Sequence, residues 1–145
     1  MIPKGTDTQI CFHWEPMISR YVVYLRARPN VRVIAMAESE DLLEWTEREV
    51  IVAPDELDPP QDNELYGMSS MAYREFRIGF LSVFHVLYES WSAVNPTAAA
   101  ELTIDGPDEW MNTMDIQLVY SGDGRSYHRA GNREPILRVG QPGTP

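Results

Sequence analysis

Apolar and β-branched residues fall in short runs along the chain, each closed by turn formers. Gln9–Glu15, Tyr21–Ala27 and Arg32–Ala37 read as strands, with Pro29 and Asn30 separating the second from the third, and Glu49–Ala53 is a shorter fourth. After the Pro- and Asp-rich stretch Ala53–Asn63 the pattern resumes in Leu65–Ala72, Phe76–Phe84, Met114–Tyr120 and Pro135–Val139. Phe76, Ile78, Phe80 and Phe84 alternate with Arg77, Gly79 and Leu81 over most of that run, the two-residue period of a strand. No segment carries a 3.6-residue apolar stripe, although Pro96–Leu102, with its alanines, suits a helical turn or two. The pattern predicts an all-β protein.

An internal repeat organises these strands. Ser39-Glu40-Asp41-Leu42-Leu43-Glu44-Trp45 and Ser121-Gly122-Asp123-Gly124-Arg125-Ser126-Tyr127 share the form S-x-D-x-x-x-[W/Y], each after an apolar third strand and before a short fourth. Ser and Asp oxygens at that spacing accept local backbone N–H groups in a tight turn, and the aromatic residue plugs the space between neighbouring sheets. Two similar four-stranded antiparallel meanders follow, about 7–53 and about 64–139, the repeating unit of a β-propeller. The expected architecture is one partial-propeller domain over 1–145. The second meander carries an insertion at about 86–113, an inserted loop or short helix with Trp91, Trp110 and several acids. Its indoles either stack on sugar faces or pin the segment to the sheet.

Composition narrows the function classes. The 145 residues carry a net charge of −10, which repels a phosphate backbone and argues against nucleic acid as a partner. The lone cysteine, Cys11, excludes an internal disulfide and a cysteine zinc site, and it reads as a small core residue. No run is long enough to span a membrane and Met1–Gly5 lacks the pattern of a signal peptide, so a cytoplasmic location and no membrane partner are expected. There is no phosphate-binding glycine loop, H-E-x-x-H or G-x-S-x-G, and the scattered histidines form no metal cluster; no cofactor and no metal are expected.

Carboxylates remain. Asp7 and Glu64 stand just before the first strand of their meanders, and in a propeller that strand lines the central channel, so both side chains can enter one cavity. Two carboxyls, one kept protonated by its surroundings, suffice for glycosidic bond cleavage; acids at strand ends also serve simply as turn formers. Trp14, Tyr66, His85 and Asp115 are the substrate-binding candidates, His13 and His85 also reading as packed or rim histidines.

Several blocks resemble the five-bladed propeller glycosidases similar to the N-terminal domain of glycosyl hydrolase family 32, relatives of invertases, levansucrases and arabinanases. They are Asp7-Thr8-Gln9, Phe12-His13-Trp14-Glu15, Arg20 to Arg26, Ala37 to Asp41, Ala53 to Glu56, Asp58-Pro59-Pro60, Glu64 to Met68, and Asp115-Ile116-Gln117-Leu118 through Asp123-Gly124 to Arg133-Glu134-Pro135. The resemblance implies hydrolysis of fructosyl- or arabinosyl-type bonds, Asp7 being the second-blade aspartate that stabilises the transition state and Glu64 the third-blade general acid. Ile10 replaces the family's asparagine after Gln9. A first-blade nucleophile is not expected in this chain, since six residues precede Asp7, so the chain is expected to be inactive alone. The expected partner is carbohydrate, the missing blades coming from a longer chain or a homo-oligomer. The competing reading is a noncatalytic carbohydrate-binding or assembly module, or a structural remnant.

Overall fold

A computed structural model describes residues 9–58, 64–85 and 113–138. It is all-β, as the alternation predicts, with two antiparallel sheets arranged like neighbouring blades of a partial propeller. The first sheet runs in the order β1 (Cys11–Glu15), β2 (Arg20–Ala27), β3 (Val33–Ser39), β4 (Glu49–Val52). In the second, β5 (Leu65–Tyr73), β6 (Phe76–His85) and β7 (Thr113–Ser121) are followed by two short strands, β8 (His128–Arg129) and β9 (Pro135–Leu137), both paired with β7. The second meander thus has five strands where four were expected. β8 is too short to leave an apolar run, and the chain turns at Ala130–Arg133 before returning to β7. The predicted helical turns at Pro96–Leu102 and nearly all of the insertion lie outside the described residues, as does Asp7.

Alternation along each strand sorts side chains to two faces. Val22, Tyr24, Ile34, Met36 and Val52 of the first sheet meet Leu65, Met68, Leu81, Val83 and Val119 of the second in one buried cluster. Each fully buried aliphatic side chain there contributes about 1.5–3 kcal/mol. Both repeat turns form as their sequences require. Ser39 Oγ accepts the Leu42 N–H at 2.9 Å and Asp41 Oδ1 accepts those of Leu43 and Glu44 at 2.9 and 3.0 Å. In the second turn Ser121 Oγ accepts from Gly124 at 3.0 Å, and Asp123 Oδ1 from Arg125 and Ser126 at 2.8 and 2.7 Å.

The aromatic residue ending the second motif reaches across the interface. Tyr127 is buried, its hydroxyl 2.7 Å from that of Tyr24 in the first sheet and 2.8 Å from Ser70 Oγ. Burial and the adjacent Tyr127 raise the Tyr24 pKa. Charged pairs frame the apolar contact: Arg77 Nε lies 2.8 Å from Glu15 Oε2, and Arg125 binds Glu38 in a fork at 2.7 and 2.8 Å. Asp58 pairs with Arg129, and with Arg133 at 3.0 Å, tying the segment after β4 to the second sheet.

Two outcomes are expected in urea denaturation. Leu81→Ala, at the centre of the buried cluster, lowers stability by about 2–5 kcal/mol. Separately, backbone N–H donors hold Asp123 and Asp41 below their usual 3.8, and the Arg133 guanidinium holds Asp55 at about 2. Folded pKa values below the unfolded ones give stability that is present above pH 3.8 and lost as pH falls toward 2. Stability therefore falls over that window, and less steeply in Asp123→Asn.

Candidate functional site

The candidates converge at one end of the second sheet, where β5 begins, β6 ends and β7 begins. Glu64 directly precedes β5. Its carbonyl accepts the Phe84 N–H at 2.9 Å, while the next N–H, of Leu65, donates to the Arg32 carbonyl of the first sheet at 3.1 Å. Glu64 is thereby fixed between the two sheets, and its side chain is buried. Oε2 accepts the Arg32 backbone N–H and Arg32 Nη1, each at 3.0 Å, whereas Oε1 lies 3.9 Å from Arg28 Nη2. Two donors on one oxygen fix the orientation of the carboxyl.

Aromatic and cationic groups border the acid. Tyr66 falls at a shift in register between Leu65 and Gly67, a bulge that breaks the alternation and re-aims the chain. The Arg26 guanidinium lies 4.2 Å above the Tyr66 ring, and Arg32 lies 5.4 Å from the Phe84 ring centre. His85 and Asp115 form a second polar pair at 2.9 Å. Cross-strand pairing explains their contact: Val83 faces Asp115 and His85 faces Thr113, so His85 and Asp115 are diagonal neighbours on one face. Asp115 Oδ1 and Thr113 Oγ1 are buried with no hydrogen-bond partner among the described residues, leaving an acceptor and a hydroxyl to be satisfied.

Glu64, Tyr66, His85 and Asp115 therefore share one end of the fold. Trp14 does not join them. It pairs with Tyr21 at the start of β2, whereas Arg26 and Arg28, beside the acid, lie at and beyond its other end, about 20 Å away at strand rise. Its ring packs edge-on against Tyr21, at 4.9 Å, on the outer face of the first sheet. His13 sits at the inter-sheet contact beside Arg77 and Glu15, and burial with the Arg77 charge lowers its pKa. The arginines around Glu64 were missed by the sequence reading. Their only signal is the spacing of Arg26, Arg28 and Arg32 about Pro29-Asn30, which resembles an ordinary solvated turn. Among the described residues no group of three His, Cys, Asp or Glu side chains is placed to hold a metal ion, and no helix is long and apolar enough to cross a membrane.

Solved structures share this fold. An N-acetylgalactosamine deacetylase from F. plautii, in complex with blood group B trisaccharide, matches 98% of this chain and 34% of its own at a TM-score of 0.63 and 12% identity. An exo-1,5-α-L-arabinanase from a bovine ruminal metagenomic library matches 93% of this chain and 38% of its own, at a TM-score of 0.55 and 10% identity. The chain thus spans little more than a third of either neighbour, and the likeness is one of fold. Both neighbours are carbohydrate-active enzymes. No protein-family model and no curated protein matches the chain.

The grip of Arg32 on Glu64 is testable by itself. Arg32→Met leaves a buried carboxylate short of a charged donor and lowers stability by about 2–3 kcal/mol in urea denaturation. Adding Glu64→Gln to it recovers part of that loss, because the stranded charge is removed.

Proposed function

We propose that this chain is part of a glycoside hydrolase-like propeller whose site handles fructosyl- or arabinosyl-type sugars. The observation that carries the reading is the grouping at one end of the second sheet of a buried, oriented carboxyl and a second polar pair with unsatisfied groups. Glu64 is the general acid. Its Oε2 is occupied by the two Arg32 donors, so Oε1 is the oxygen that faces the leaving group. Asp115 Oδ1 and Thr113 Oγ1 bind sugar hydroxyls, His85 holds Asp115 in place, and Tyr66, backed by the Arg26 guanidinium, borders the sugar. Asp7 takes the role of stabilising positive charge on the sugar ring. The resemblance in motifs and the fold shared with carbohydrate-active enzymes support the assignment.

Titration of the purified chain with arabino- and fructo-oligosaccharides, followed by NMR shifts, tests this. Binding is expected to weaken by roughly tenfold in Asp115→Asn, the loss of one hydrogen bond to a charged group. Glu64→Gln is expected to perturb the same resonances, and Trp14→Ala to leave binding unchanged. Absence of binding to either sugar class, or hydrolysis that survives Glu64→Gln, rejects the assignment.

A further inference from the structure

The contact between the sheets encloses a group of ions toward the end away from Glu64. Glu15, the last residue of β1, is fully buried, and Arg77, the second residue of β6, is nearly so. Their charges cancel, with Arg77 Nε 2.8 Å from Glu15 Oε2. The same carboxylate ties down more of the chain. Its Oε1 accepts the Met17 N–H at 3.0 Å. Gly124 of the second repeat turn, at φ +76°, passes so close that an added Cβ would lie 3.2 Å from Glu15 Cγ. Segments of both sheets therefore meet on Glu15.

His13 stands two residues earlier on the same face of β1 and completes the group. Its Nε2 lies 2.5 Å from Arg77 Nη2. A guanidinium only donates, so Nε2 accepts and the ring is neutral, with its proton on Nδ1. That Nδ1 is buried with no hydrogen-bond partner among the described residues. Glu15 Oε2 lies 3.5 Å from Nε2, against 2.8 Å from Arg77 Nε. Arg77 and His13 thus compete for one carboxylate, and while the ring is neutral Arg77 holds it. The other titratable groups around the ring are Cys11 on its own strand, Tyr24 of β2, with ring centres 5.4 Å apart, and Tyr127 behind Tyr24. None of them supplies a second carboxylate. The His13 side chain is 20% exposed, which gives a proton from solvent access to it.

We propose that His13 is a proton-operated release on the contact between the sheets: a proton on Nε2 expels the Arg77 guanidinium from its place between His13 and Glu15 and loosens β1 from β6. Two cations against one carboxylate leave a net buried charge, which is costly to keep. Protonated Nε2 is a donor near Glu15 Oε2 and takes over that carboxylate, so the acid is not stranded when Arg77 moves to solvent. The direction follows from the surroundings of the ring. Burial and then the Arg77 charge hold the His13 pKa below its ordinary 6.5, and Glu15 offsets them only in part. The unfolded chain therefore takes the proton first. The stability that His13 contributes is full above pH 6.5, is lost as pH falls from there to the folded pKa, and stays level below it. This rests on the contact between the sheets and not on the sugar chemistry.

NMR titration of the His13 imidazole, together with urea denaturation of the full chain between neutral and mildly acidic pH, tests the proposal. The His13 midpoint is expected below 6.5. The unfolding equilibrium constant is expected to rise by up to about tenfold for each pH unit between 6.5 and that midpoint, the slope of one proton. The Arg77 Nε–H resonance, sheltered at neutral pH, is expected to begin exchanging with water as His13 titrates, a change that a merely packed histidine does not produce. In His13→Gln the amide oxygen accepts from Arg77 at every pH, so this part of the pH dependence disappears and the Arg77 signal stays sheltered. His85 and His128 are present in both chains, so their titration cancels in the comparison. A His13 midpoint at or above 6.5 overturns the proposal. So does a pH dependence that His13→Gln retains in full, or an Arg77 signal that stays unmoved while His13 titrates. The midpoint and the Arg77 signal are read on the unaltered chain, so they decide even where His13→Gln fails to fold.

Discussion

The contact between the two sheets is the constraint from which the rest of the structure follows. Tyr24 and Tyr127, joined through their hydroxyls at 2.7 Å, sit where the apolar faces meet, and both are enclosed. A buried hydroxyl is costly unless paired, so each phenol fixes the position of the other, and Ser70 completes the group. This settles the register of one sheet on the other in a way that aliphatic packing alone does not. The surrounding ion pairs, Glu15 with Arg77 and Glu38 with Arg125, act in the same sense, since a slip of one residue would strand charges at or near the interface.

That registration also builds the acid site. Glu64 belongs to the second sheet but takes its donors from Arg32 of the first, through both backbone and side chain. Its orientation is thus a property of the interface. His85 and Asp115, by contrast, lie wholly within the second sheet and are brought together by the pairing of β6 with β7. The site combines one element held between sheets with another held within one, and both lie at the end where the bulge at Tyr66 interrupts β5.

The fold was legible to the extent that its signals are local. The strands are recovered to within one or two residues because alternation is a property of neighbouring side chains. The repeat turns are recovered down to their hydrogen bonds, because Ser and Asp act on amides two and three positions ahead. β8 was missed because two residues cannot show a period. In the site, the clustering of Glu64, Tyr66, His85 and Asp115 agrees with strand-end positions visible in the sequence. Trp14 shows the limit of that reasoning: an aromatic residue near a matching motif looks like a sugar platform until the direction of its strand puts it at the opposite end. The role of Arg32 could not be read at all, since Arg32 and Glu64 meet across the sheets and far apart in the chain.

The sequence by itself determined the class of fold, the repeat, the turn chemistry and which residues share a face, because each depends on spacing along one strand or one turn. Only the tertiary structure decided which face meets which, that Arg32 orients Glu64, and that Trp14 lies far from the acid. The physical reason is that alternation assigns a side chain to a face but says nothing of its partner. Partners are chosen by the packing of two sheets, where enclosed hydroxyls and charges must all be matched at once.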